Sequence, residues 1–214
     1  MDKMEQKLRI RFSKTGALRY IGHLDFLRVF QQMIRRAGIP IAYSQGFNPH
    51  QIISFALPLP LGMGSANDYA DITVTGTANF KSQLCVAVPQ GLTVLDVYPV
   101  VGSAAAAATV AADYILNVPV TDELKAAVKN ILESETIVIP KKTKSGIKDT
   151  DIRPDILDIK THDGTFLLRL SAGSARFLNP LIVAELICGG KVCPSLLTRQ
   201  ELYQQDAEKG LTSL

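Results

Sequence analysis

Leu8, Ile10 and Phe12 alternate with Lys7, Arg9 and Arg11. A period of two marks a half-buried strand, here with a cationic outer face. Ser13-Lys14-Thr15-Gly16 is a turn, and the period then changes. Phe26, Leu27, Phe30, Met33, Ile34 and Ala37 recur at helical spacing and predict an amphipathic helix over His23–Ala37. Gly38 suits the position after a helix, and Pro40 bars its continuation. Ile39–Tyr43 and Ile52–Leu57 read as strands around the polar loop Ser44–Gln51, with Pro58 and Pro60 ending the second. Gly62–Ser65 reads as a flexible turn, Tyr69–Thr75 as a strand, Phe80–Val88 as a helix and Leu92–Val100 as a strand. The order β-α-β-β-α-β is the ferredoxin-like arrangement.

The small-residue run Ala104–Ala108 reads as a linker or a short helix start. A looser version of the same order follows it. Tyr114–Val118 is a strand, and Thr121 caps a helix over Asp122–Glu133. Thr136–Ile139 is a strand, and Lys141–Thr150 a basic loop. Ile156–Lys160 and Phe166–Leu170 form a hairpin across His162-Asp163-Gly164. Pro180–Ile187 is a helix with Asn179 as its cap, and a last strand begins near Leu196. The expected fold is α/β of the α+β kind: two tandem ferredoxin-like halves with antiparallel sheets, divided as residues 1–103 and 109–214.

The 214 residues are 47% hydrophobic and 20% charged, ordinary for a globular protein. No apolar run approaches the roughly 20 residues that span a bilayer, and Met1–Lys7 has no apolar signal core. The expected setting is cytoplasmic, with no membrane partner. Cys85, Cys188 and Cys193 form no C-x-x-C pair and read as buried free thiols. The net charge of +3 conceals an asymmetry. Residues 1–60 hold nine Lys/Arg against three Asp/Glu, and the remainder holds fourteen against seventeen. A basic first third points to an anionic partner, nucleic acid being the commonest.

Chemistry-bearing side chains concentrate between Tyr20 and His50. His23 opens the first helix, positioned to accept a proton or a hydrogen bond, with Tyr20 three residues earlier. Tyr20, His23 and His50 are the catalytic candidates; the competing reading makes His23 a helix cap bonded to Asp25 or backbone. In the loop, Tyr43, Gln45, Phe47, Asn48 and His50 suit base stacking and edge hydrogen bonds. Arg9, Arg11, Arg19, Arg28, Arg35 and Arg36 are candidates for tracking phosphates, with Lys141, Lys142, Lys144 and Lys148 a second, diluted cluster. His23, Asp25 and His50 have no recognised metal-ligand spacing, and no nucleotide-binding or metalloprotease motif occurs. No metal or cofactor is expected.

The motifs Arg9–Gly16, Tyr20–Asp25, Arg35–Pro40, Tyr43–His50 and Ser54–Gly62, with Asp151–Pro154 and Thr198–Tyr203, resemble the radical-SAM-linked (radical-SAM-associated) proteins, a bacterial domain of unknown function. Members stand alone or are joined to a radical SAM protein; this chain lacks CxxxCxxC and resembles the stand-alone form. A distant likeness is to the CRISPR repeat-processing endoribonucleases, which have tandem ferredoxin-like domains and cut RNA without metal, but their glycine-rich C-terminal loop is missing here. The basic first strand and helix and the Tyr43–His50 loop lead to the expectation of a non-catalytic module that binds tRNA or ribosomal RNA, and the resemblance implies a radical SAM partner to which it presents that RNA. The alternatives are a metal-independent endoribonuclease and a protein–protein adaptor for a radical SAM enzyme. A single site is expected, with His23, Asp25, Tyr43, Gln45, Asn48 and His50 lining one pocket flanked by Arg11, Arg35 or Arg36.

Overall fold

The computed structural model describes residues 5–76, 80–100, 102–143 and 146–214. In chain order these are β1 (Glu5–Lys14), α1 (His23–Arg36), β2 (Ile53–Phe55), β3 (Gly64–Thr75), α2 (Lys81–Ala87), β4 (Leu92–Pro99), α3 (Ala105–Ala108), β5 (Thr109–Leu116), α4 (Asp122–Glu133), β6 (Val138–Thr143), β7 (Gly146–Asp151), β8 (Ile156–His162), β9 (Thr165–Ser171), α5 (Pro180–Cys188), β10 (Leu197–Asp206) and β11 (Gly210–Ser213). The fold is mixed α+β with a large, mostly antiparallel sheet.

In the first half the strands lie β4-β1-β3, with β2 antiparallel beside β3. In the second half the order is β10-β5-β9-β8, again antiparallel. The halves do not keep separate sheets. The start of β3 pairs in parallel with β10 at Gly64↔Thr198 and Ser65↔Arg199, joining everything into one nine-stranded sheet. The flexible turn expected at Gly62–Ser65 is therefore half wrong, since Gly64 and Ser65 are buried ladder residues.

Alternation decides which side chains enter the core. Leu8, Ile10 and Phe12 pack with Ala70, Ile72 and Val74 against Phe26, Phe30, Met33 and Ile34 of α1. Ala112, Tyr114, Leu116, Leu168 and Leu170 pack with Val128, Ile131, Val183, Ala184 and Ile187 of α4 and α5. Lys14, Ser65, Arg199 and Tyr114 are register partners in turn, so the helix-covered face is continuous across the joint. The expected caps are present: Thr121 accepts from the Leu124 N–H and Asn179 from the Leu181 N–H.

Two expected elements take another form. Ile39–Tyr43 is not a strand; it makes only the isolated bridges Ile41↔Val74 and Tyr43↔Gln51. Lys141–Thr150 is not a loop but part of the β6–β7 hairpin, a separate two-stranded sheet. Lys144 and the Lys142 side chain lie outside the described residues, and Lys141 and Lys148 are exposed. Of the two forms expected for Ala104–Ala108, the short helix is the one adopted: a single turn with a buried Ala105.

That turn explains a larger correction. Arg9 is on the face away from α1, as alternation requires, yet it is 3% exposed. Its guanidinium donates to both Asp71 oxygens at 2.8 and 3.2 Å and to the Ser103 carbonyl. The Ala105 N–H donates to Asp71 as well. The segment after β4 thus crosses this face and seals the pair. Further along it, Tyr69 donates to Glu201 at 2.6 Å, and Arg169 and Tyr203 both donate to Asp113. Burial, with Asp113 accepting its proton, pushes the Tyr203 phenol up to about 12.

Breaking a buried ion pair leaves the survivor uncompensated, at roughly 3–5 kcal/mol. Asp71→Ala should therefore lose about that much stability in urea denaturation, while Arg9→Met with Asp71→Leu should recover most of it. Equal losses in the single and double variants would contradict the sealed-pair description.

Candidate functional site at the joint between the halves

The joint on the helix side is built from polar residues placed in apolar phases. Asp68 shares the phase of Ala70, Ile72 and Val74, and is 4% exposed. Lys14 follows a register irregularity between Phe12 and Lys14 that turns it onto the same face, also 4% exposed. Arg199 of β10 has no exposure at all. Its Nη2 donates to Asp68 Oδ2 at 2.6 Å and to the Leu57 carbonyl at 2.8 Å. Asp68 Oδ1 accepts from the Tyr69 N–H.

Donors exceed acceptors here. Nε and Nη1 of Arg199 make no close hydrogen bond, the Tyr114 phenol being the guanidinium's further neighbour, and the buried Ser65 hydroxyl has none. The Lys14 ammonium lies 4.5 Å from the Phe26 ring centroid, and no acceptor among the described residues bonds it. Burial pushes the Lys14 ammonium below the ordinary lysine range, with Asp68 pulling the other way. Burial pushes the Asp68 carboxyl up, against the pull of Arg199. Tyr114, fully buried nearby, is likewise raised by burial.

Lys14 and Asp68 line a small cavity with His23, Phe26, Phe55, Leu57, Pro58 and Leu59. Its volume is about 10 Å³, room for about one water molecule. His23 stands exposed at the rim, its ring edge-on to Phe55 with centroids 5.6 Å apart. It opens α1, whose N-cap, Gly22, supplies no side-chain cap. Leu57, Pro58, Leu59 and Pro60 continue past the cavity and, with Phe177 and Asn179, line an apolar groove.

The expected site residues scatter around this cavity. His23 lines it; Tyr20, 60% exposed, lies beside Gly62. His50 does not line it. Its Nδ1 pairs with Ser44 Oγ at 2.9 Å, and its N–H donates to the same oxygen. With the Ser44 N–H donating to the His50 carbonyl and the Tyr43↔Gln51 bridge, His50 latches the loop shut. No bond or ring contact joins His23 to His50 among the described residues. Tyr43, Gln45, Asn48 and Phe47 project from the latched loop, Phe47 at 112% exposure. Asp25 is exposed and pairs with Arg28 at 2.8 Å.

The arginines divide. Arg28, Arg35 and Arg36 are exposed along α1, Arg36 also donating to the Ala87 carbonyl. Arg11 is half-buried. Arg9 is sealed, and Arg19 is a brace: it donates to the carbonyls of Gly62 at 2.9 Å and Ser195 at 2.7 Å. The cysteines also depart from the buried-thiol reading, Cys85 and Cys193 being exposed. A hydrogen bond with Ser195 holds the Cys193 thiol below its ordinary value. Among the described residues no cluster of His, Cys, Asp or Glu is placed to hold a metal, and no helix is long and apolar enough to cross a membrane.

The family model of an uncharacterized protein conserved in bacteria (DUF2344) matches residues 7–180. The chain belongs to that family. The matched span takes in Lys14, His23, Asp68 and the latched loop, and stops at the start of α5, short of Arg199. No curated protein matches the chain.

The Lys14 shift has a consequence for stability. A lowered folded-state value means the folded chain carries a penalty for the charged ammonium at neutral pH, a penalty that disappears as the lysine deprotonates in both states. Lys14→Met should be more stable than wild type near pH 7, the advantage shrinking as pH rises toward 10.5. A constant difference across that range in pH-resolved thermal unfolding would remove Lys14 as its source.

Proposed function

We propose that this protein is an RNA-binding accessory module that grips unpaired RNA through the latched loop and the exposed edge of α1. The observation that carries this reading is Phe47, a fully exposed aromatic on a loop that is otherwise tied down. An aromatic side chain held in water without packing is costly unless it meets a partner, and a nucleobase offers a flat face to stack on. Tyr43 is half exposed on the same loop, and Gln45 and Asn48 offer amides for base edges. Arg28, Arg35 and Arg36 supply the phosphate contacts. With Arg9 and Arg19 committed inside the fold, stacking carries more of the affinity than the basic composition implies.

The strand orders β4-β1-β3-β2 and β10-β5-β9-β8 support a frame of two ferredoxin-like units fused edge to edge. The resemblance to radical-SAM-linked proteins supports a role beside a radical SAM enzyme, with RNA, from tRNA or the ribosome, as the shared substrate.

Fluorescence anisotropy with a labelled single-stranded RNA tests the reading. Phe47→Ala should weaken binding by about 1–3 kcal/mol, the worth of one stacked base. Arg35→Ala should weaken it less and flatten its salt dependence. Binding unaffected by Phe47→Ala would remove the loop from the interface. Cleavage of the RNA in EDTA, lost in His23→Ala, would replace the accessory role with a nuclease.

A further inference from the structure

We propose that the cavity floored by Lys14 and rimmed by His23 is a phosphate site, taking one oxygen of a phosphate monoester onto the Lys14 ammonium. The cavity admits about one oxygen-sized atom, so the rest of the group sits at the mouth. There it meets the His23 imidazole and the first-turn N–H groups of α1, which no side chain caps. A tetrahedral group presents oxygens in three directions at once, matching a floor, a rim and a helix end.

The independent support is the surplus of buried donors. Lys14 is 4% exposed, lines the cavity and has an aromatic ring but no hydrogen-bonding acceptor. Behind the wall the Ser65 hydroxyl, opposite Lys14 in the ladder, makes no hydrogen bond, and two Arg199 nitrogens make no close one, the Tyr114 phenol being the guanidinium's further neighbour. Native interiors rarely leave so many donors unfilled together. Two buried cations face one carboxylate, and both oxygens of that carboxylate, Asp68, are already committed to Arg199 and the Tyr69 N–H. The other acid nearby, Asp25, is exposed and paired with Arg28. One positive charge is left over, which an anion offsets and a neutral ligand does not.

The phosphate has two sources, free phosphate or the phosphorylated end of an RNA, and the second rests on the RNA-binding reading. Isothermal titration of the whole chain with inorganic phosphate, in a phosphate-free buffer, is the first test. One phosphate should bind per chain, at least about tenfold more weakly in Lys14→Met, the loss of a charge-assisted hydrogen bond. His23→Ala, at an exposed position that spares the fold, should weaken it as well. The second test compares one RNA sequence carrying a 5′-phosphate, a 3′-phosphate or hydroxyl ends. A preference for a phosphorylated end that vanishes in Lys14→Met makes RNA the source. Phosphate bound with no RNA bound keeps this site and removes the RNA reading. Phosphate that fails to saturate, or that binds wild type, Lys14→Met and His23→Ala alike, overturns the site even if RNA binds.

Discussion

Everything at the joint turns on a guanidinium with no access to water. Arg199 ties three separated segments: its own strand β10, Asp68 of β3, and the carbonyl of Leu57. Burying a charge is expensive, and only a matched partner makes it tolerable. The parallel contact between β3 and β10 spans just two residue pairs, too little to hold two sheets in register alone. The ion pair supplies the missing specificity, and Arg19 adds a second clamp through Gly62 and Ser195 on the same seam. Gly62 allows that approach: its φ is +89°, and a side chain there would press on Pro194.

This seam also sets the chemistry. Joining two sheets leaves a stretch of helix-side face between α1 and the α4–α5 pair that neither core fills. Leu57–Pro60 crosses the gap, and Lys14, His23 and Asp68 surround what is left. The site therefore lies at the seam. Its residues come from β1, α1 and β3, with Arg199 of β10 standing behind them.

The periodic elements were legible in the sequence because burial imposed the period. The α1 stripe, the caps at Thr121 and Asn179 and the hairpin across Gly164 all follow local rules that hold here. Alternation also placed Arg9 on the correct face. It could not reveal that a distant turn, Gly102–Ala108, covers that face, because coverage depends on partners roughly a hundred residues away. The β6–β7 pairing was missed because residues 146–149, exposed throughout, show no alternation to mark it. Lys14 and Arg199 were missed as a site for a similar reason: they are close only through the β3–β10 joint. A signal did exist. Asp68 stands two residues before Ala70, Ile72 and Val74 in the apolar phase, where a carboxylate demands a buried partner. Of the expected single pocket, His23 lies at the cavity, while His50 proved to be the latch of its own loop.

The central claim is that the latched loop and the exposed edge of α1 meet RNA while the far sheet face does not. Hydrogen–deuterium exchange of the whole chain with and without single-stranded RNA tests it directly. Protection should rise over residues 20–36 and 43–51 and stay unchanged in β4 and β9. Protection confined to the sheet strands, with the loop and the start of α1 unaltered, would contradict the account.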